Sequence, residues 1–272
     1  MARTLVVRLG ALGDAVLTLP ALAHLIACGD DVTVLGVPAS WSFLPSSGPI
    51  AIADAEAAEW RSLFSGEAVA AIRGFDRVVV MLGKPEVAEA TSRAGIATQR
   101  VTPVRPGQSG VHAAERLLLG VGGAEVDPEA VRLLIAPAPD GDAHDLVLHP
   151  GSGGKMKRWP AERFAELARR AKAPLILLGP AEEDLASAFE GLPVARDWAL
   201  PRVAATLAKA RAFVGNDSGV SHLASWLCPT LALFGPTDPK VWAPAGPTAH
   251  VMAAPKGDLS RLSVDEVAGR LP

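Results

Sequence analysis

The residues that most constrain how this chain folds run from Ala212 to Pro239, AFVGNDSGVSHLASWLCPTLALFGPTDP. AFVG is a short apolar run ending at Gly215, the pattern of a buried strand, and from Asp217 onward Val220, Leu223, Ala224 and Leu227 recur at helical spacing. Asn216, Asp217 and Ser218 are helix N-cap types, so the helix starts there and stops at Pro229. A second apolar run, TLALFG, and the turn GPTDP follow. Strand, helix and strand in that order form a crossover between parallel strands, which carries the loops after both strands to one edge of the sheet. Ligands of open parallel sheets bind at that edge, and the unpaired N–H groups of a helix start favour an anion such as a phosphate. An Asp217 or Ser218 that only caps the helix fits the sequence equally well.

The same alternation fills the rest of the chain. Strands are predicted at residues 5–9, 31–36, 49–54, 77–82 and 97–103. Helices are predicted from about Asp14 to Cys28 and over 56–64, 67–75, 84–94 and 111–119. Residues 120–143 are rich in Gly, Pro, Ala and Asp and read as a loose connection, with the domain boundary near 137–143. A second series follows, with strands at 146–148 and 175–178 and helices at 161–172, 182–189, 201–209 and 263–271. Two such halves define an α/β protein of two doubly wound domains, 1–140 and 141–272.

Composition excludes several classes. A net charge of −3 over 272 residues argues against broad nucleic-acid binding, so any phosphate must be met by a local group of cations. Cys28 and Cys228 lie in apolar contexts and read as small core residues of a reducing compartment. Arg8 and Asp14 interrupt the first apolar run, which argues against a signal peptide, and no run approaches the roughly 18 apolar residues of a membrane span. Asp140-Gly-Asp142 has the D-x-D form of a metal site but sits in the loose connection, and the six histidines show no ligand spacing. A dinucleotide site is disfavoured because no G-x-G-x-x-G is present.

Four motifs in order carry a family resemblance: RLGALGDAVLTLPAL at 8–22, HPGSGGKMKRWPAERFAEL at 149–167, LLGPAEEDLA at 177–186, and GNDSGVSHLA at 215–224 with LFGPTDP at 233–239. Together they resemble glycosyltransferase family 9, the heptosyltransferases of lipopolysaccharide assembly. The resemblance implies a GT-B architecture, two Rossmann-like domains facing a central cleft, with the acceptor on the first half and the nucleotide sugar on the second. It implies inverting transfer without a metal, an ADP-linked donor and a lipid-linked or glycan acceptor. No cofactor or nucleic acid is implied, and a cytoplasmic monomer with room for peripheral contact with the inner membrane face is expected. The terminal helix is expected to pack on either half.

Carried over residue by residue, the resemblance gives Asp14 the role of general base, with Gly10 and Gly13 forming the turn on the acceptor side. The residue itself also allows a helix N-cap. Lys157 matches the family's phosphate-binding lysine and Ser152 and Gly153 its hydroxyl-bearing turn, where glycine at 153 removes a donor that Lys155 could replace. Glu182 or Glu183 falls where an acid reaches the ribose, a carboxylate being able to accept from both hydroxyls. Acids there also favour a helix start. Asp217, Ser218, Gly219 and Val220 line the diphosphate and sugar, and His222 belongs to that donor-side set. A Ser218–His222 catalytic dyad is not implied, since Gly215-Asn-Asp-Ser218-Gly219 is not a G-x-S-x-G elbow. The reading from another class is a non-catalytic nucleotide-sugar-binding module of envelope assembly.

Overall fold

The computed structural model describes residues 1–105, 107–108, 110–135 and 141–272. Asp140 of the D-x-D pattern and much of the expected boundary lie outside the described residues. The chain divides into two compact units, Met1–Ala136 and Pro137–Pro272.

In the first unit, β1 (Arg3–Val7), β2 (Asp31–Gly36), β3 (Ile50–Asp54), β4 (Arg77–Val80) and β5 (Ala97–Arg100) form a parallel sheet in the order 3-2-1-4-5. Its helices are α1 (Leu12–Ala27), α2 (Pro38–Trp41), α3 (Glu86–Arg93), α4 (Ala113–Gly120) and α5 (Pro128–Ile135). Leu5, Val7, Val78 and Val80 pack with Trp60, Leu63, Ile72 and Val87 on one face. Because side chains alternate, Val6 and Val79 are buried on the other. The strand order reverses between β1 and β4, so the loops after those strands diverge and leave a crevice at the carboxyl edge.

In the second unit, β6 (Leu146–His149), β7 (Pro174–Leu178), β8 (Val194–Arg196), β9 (Phe213–Asn216), β10 (Thr230–Phe234) and β11 (Ala249–Ala253) form a parallel sheet in the order 11-10-9-6-7-8. Its helices are α6 (Ala161–Arg170), α7 (Leu200–Lys209), α8 (Gly219–Leu227), α9 (Pro239–Trp242) and α10 (Val264–Ala268). Leu148, Ile176, Val214 and Leu233 pack against Phe164 of α6 and Val264 and Val267 of α10, so the terminal helix belongs to this unit's own core. Here the order reverses between β6 and β9, which are paired with His149 opposite Gly215.

Several elements differ from the sequence expectation. The stretch read as loose contains α5, in which Val131, Leu134 and Ile135 are buried and Asp127 Oδ1 accepts from the N–H groups of Glu129 and Ala130 at 3.0 and 3.1 Å. An N-cap aspartate followed by Pro128 is a good helix start, masked by Gly and Pro on either side. β8 and β11 lie at sheet edges, where β8 buries only Ala195 and β11 fully buries no residue, so they lack the continuous apolar run of an inner strand. Segments 56–64, 67–75 and 182–189 are 3₁₀ turns over Ala58–Ser65, Ala70–Gly74 and Pro180–Phe189.

Candidate functional site

The carboxyl edge of the second sheet is built from the loops after β6, β7 and β9. After β6 the chain runs through Gly151-Ser-Gly-Gly into a 3₁₀ turn, Lys155–Lys157, and then α6. After β9 it passes Asp217 to Ser218, the N-cap of α8, whose side chain accepts from Ser221 N–H at 3.4 Å. Since β6 and β9 are neighbours at the point of reversal, these two loops emerge side by side.

They are tied together by specific bonds. Ser152 Oγ donates to the Asp217 carbonyl at 2.7 Å, and Lys157 Nζ pairs with Asp217 Oδ2 at 2.8 Å. Asn216 Oδ1 accepts from Trp159 N–H at 2.9 Å while its Nδ2 donates to the Pro150 carbonyl at 2.8 Å. Trp159 is buried, and its Nε1 donates to the Leu262 carbonyl at 3.0 Å, anchoring the loop from below. Asp217 and Ser152 are buried, Lys157 is half-buried and Lys155 is exposed. The first-turn N–H groups of Gly219 and Val220 precede the first intrahelical bond, so Ser152, Lys157 and these amides present donors and one cation on one edge. Around Gly153 a side chain would meet nothing within 4 Å, so glycine is not demanded there by packing.

The two acids after β7 are separated by the structure. Glu183 is exposed and pairs with Arg196 at 3.1 Å. Glu182 is buried beside the glycine turn, and its Oε2 accepts from Gly179 N–H at 2.9 Å. A Cβ on Gly151 would overlap Glu182 Oε1 and lie 2.7 Å from His149 Cε1, so glycine is required for this approach. Burial, the leading cause, lowers the pKa of His149; nearby Arg158 also lowers it, while a bond to the Leu177 carbonyl and Glu182 oppose the shift. His149 opens the motif at 149–167 and is the last residue of β6, but the sequence gives it no role of its own. His222 is buried on α8, and Ser218 Oγ lies 3.2 Å from Ser221 Oγ.

In the first unit, Gly10 at φ 136 turns the chain off β1 into α1. Gly13 is already helical, and the N-cap is Ala11, so Asp14 occupies the third helical position. This differs from the N-cap that the residue type allows. Its Oδ2 accepts from Ala11 N–H at 3.2 Å, and its Oδ1 pairs with Arg8 Nη2 at 2.7 Å. Arg8 is 8% exposed and also donates to Thr18 Oγ1 and the Met81 carbonyl, both at 3.3 Å. Burial, the larger effect, lowers the Arg8 pKa, and Asp14 opposes it. The carboxylate thus stands at the crevice with 41% of its side chain open, oriented by a cation behind it. Two oxygens carry about four acceptor sites, so capacity remains for a hydroxyl proton.

Among the described residues no group of three His, Cys, Asp or Glu could hold a metal ion, and no helix is long and apolar enough to cross a membrane.

Comparison with known proteins bears on this geometry. Residues 124–268 match the family described as glycosyltransferase family 9 (heptosyltransferase). The chain is 35% identical over 123 residues to lipopolysaccharide heptosyltransferase 1 of Escherichia coli O18:K1:H7, covering 41% of this chain and 37% of that protein. It is 34% identical over 160 residues to the protein of that name from Pseudomonas aeruginosa, covering 52% and 44%. The chain thus spans less than half the length of the curated relatives it matches. Among solved structures, E. coli heptosyltransferase WaaC with ADP superposes with a TM-score of 0.74 at 21% identity, covering 98% of both chains. E. coli ADP-heptose lps heptosyltransferase II gives 0.74 at 17% identity, covering 98% of this chain and 96% of that one. These likenesses establish the fold, two parallel-sheet α/β domains of the GT-B class.

Proposed function

The chain belongs to glycosyltransferase family 9, and on that premise we propose that it transfers a sugar, heptose in the first instance, from a nucleotide-diphosphate donor to a hydroxyl of a cell-envelope glycan or glycolipid. The observation that carries the reading is the joining of Ser152, Lys157 and Asp217 at the reversal point of the second sheet, beside the start of α8. A leaving diphosphate develops negative charge as the glycosidic bond breaks, and a preorganised cation and amides stabilise it there. Lys157 serves that charge, and the helix N–H groups reinforce it without a metal. Asp217, held by Lys157, directs its remaining acceptor capacity to sugar hydroxyls, and Glu182 rather than Glu183 meets the ribose. ADP is the nucleotide expected: two of the superposed structures are described with ADP or ADP-heptose in their names.

Asp14 takes the acceptor hydroxyl's proton while that oxygen attacks the anomeric carbon, a single displacement that inverts configuration. Arg8 holds the carboxylate in place. An acid placed at a sheet crevice with open acceptor capacity favours an enzyme over a binding module, which needs no base. The protein acts at the cytoplasmic face of the envelope, as a monomer peripheral to the membrane.

The test is a transfer assay with a panel of ADP-, UDP-, GDP- and CDP-linked sugars, scoring both transfer and donor hydrolysis. Turnover confined to ADP-linked donors supports the reading. Tight nucleotide binding with neither transfer nor hydrolysis of any donor would leave the binding module in its place.

A further inference from the structure

We propose that His149 is a ligand-binding residue, its Nε2 acting with Glu182 as a paired acceptor for a vicinal diol; the inference rests on the nucleotide-sugar reading and extends it. His149 is 7% exposed at the carboxyl end of β6, and its Nδ1 lies 3.0 Å from the Leu177 carbonyl on neighbouring β7. A carbonyl only accepts, so Nδ1 carries the hydrogen, and in the neutral ring Nε2 is left with a lone pair. Burial keeps the ring neutral by lowering its pKa. Among the described residues, neither His149 Nε2 nor Glu182 Oε1 has a hydrogen-bond partner in the protein. Both groups converge on one point, since the missing Cβ of Gly151 would overlap Glu182 Oε1 and approach His149 Cε1.

Two acceptors, a ring nitrogen and a carboxylate oxygen, meet here with no donor supplied by the chain. Neither atom is among the fully buried unpartnered ones, so both face solvent, and a ligand that displaces their water must bring donors in its place. An anion is repelled by Glu182, and a single hydroxyl satisfies only one of the pair. Adjacent hydroxyls on one ring give two O–H donors a few ångströms apart. A sugar nucleotide carries such diols on its ribose and on the transferred sugar.

The experiment is calorimetric titration of the wild type, His149→Asn and His149→Gln with ADP, 2′-deoxy-ADP and ADP-glucose. Asparagine keeps a short amide near Nδ1 but has no acceptor at the Nε2 position, whereas glutamine reaches toward it. If the diol is the ribose, the wild type prefers ADP over 2′-deoxy-ADP by about tenfold, His149→Asn loses most of that preference and His149→Gln keeps part of it. If the diol belongs to the transferred sugar, ADP and 2′-deoxy-ADP bind alike, and the preference for ADP-glucose over ADP is what His149→Asn loses. Either result supports the pairing and assigns its source. Unchanged discrimination in both variants overturns it and leaves His149 as a tie between β6 and β7. Should His149→Asn fail to fold, the wild type and His149→Gln still decide, because equal binding of all three ligands by the wild type overturns the pairing. Failure of the wild type to bind any adenine nucleotide refutes instead the nucleotide-sugar reading itself.

Discussion

Replacing Asp14 with asparagine separates chemistry from structure, provided the Arg8 pair is taken into account. Removing one partner of a buried ion pair costs roughly 3–5 kcal/mol, while exposed pairs contribute less than about 1 kcal/mol. Arg8 is 8% exposed but the Asp14 side chain is 41% open, so solvent screens the pair and the loss falls between those limits. Alanine, which also frees Ala11 N–H, should cost about 2–3 kcal/mol, and asparagine, a neutral acceptor, about 1–2 kcal/mol. For a unit of this size that is a fall of roughly 3–10 °C in Tm for asparagine. A base acts on the acceptor, so donor affinity should stay within about twofold while turnover falls by about 10²–10⁴-fold. The double variant Arg8→Met, Asp14→Asn should recover much of the Tm, because an apolar replacement of a buried pair is often neutral, yet its turnover should remain low. The assay is Tm, nucleotide affinity and turnover on all four proteins. Full turnover in Asp14→Asn, whatever its Tm, refutes the base and leaves Asp14 as the partner of Arg8.

Lys157→Ala should weaken ADP by about 1–3 kcal/mol in calorimetry and also lower Tm, since Asp217 is left buried beside the anion; Lys157→Met with Asp217→Asn should recover Tm but not ADP affinity, and recovery of both would remove Lys157 from the phosphate site. His149 titrates below its usual value of about 6.5 in the fold, so the unfolded chain binds its proton first and stability should fall as pH drops through that value, flat above it. Urea midpoints between about pH 5 and 7.5 should show a shallower decline for His149→Gln, and identical slopes would contradict a neutral buried ring. Burial pushes the Cys228 thiol up to about 12 while Cys28 is exposed, so a thiol reagent at neutral pH should label Cys28 alone until denaturant is added. Native labelling of Cys228 would show that its cover opens.

The glycine turn after β6 and the helix start after β9 were legible because each is a local device: a residue that permits a tight turn, a side chain that caps, an apolar run that stops. Partner choice is not local. Nothing in RLGALGD says that Arg8 turns inward to Asp14, and the two adjacent acids Glu182 and Glu183 are equivalent in sequence until one is buried. Helical period alone did not reveal α5, whose three buried residues occupy little more than one turn, nor the edge strands β8 and β11, where one accessible side breaks the apolar run. His149 heads one of the motifs, yet which of its ring nitrogens is engaged was not legible, because that depends on a carbonyl of another strand.

The four bonds that tie the loop after β6 to that after β9 join residues 57, 60, 65 and 66 positions apart. Closing so long a segment is entropically unfavourable until the intervening strands and helices have found their places. The two loops therefore cannot be tied to each other before the second unit's sheet is assembled, and on the proposed reading nucleotide binding would report that the unit is complete. A sugar nucleotide present during synthesis would trap only finished molecules, and a chain stalled before Asn216 would have the glycine turn but nothing to hold it.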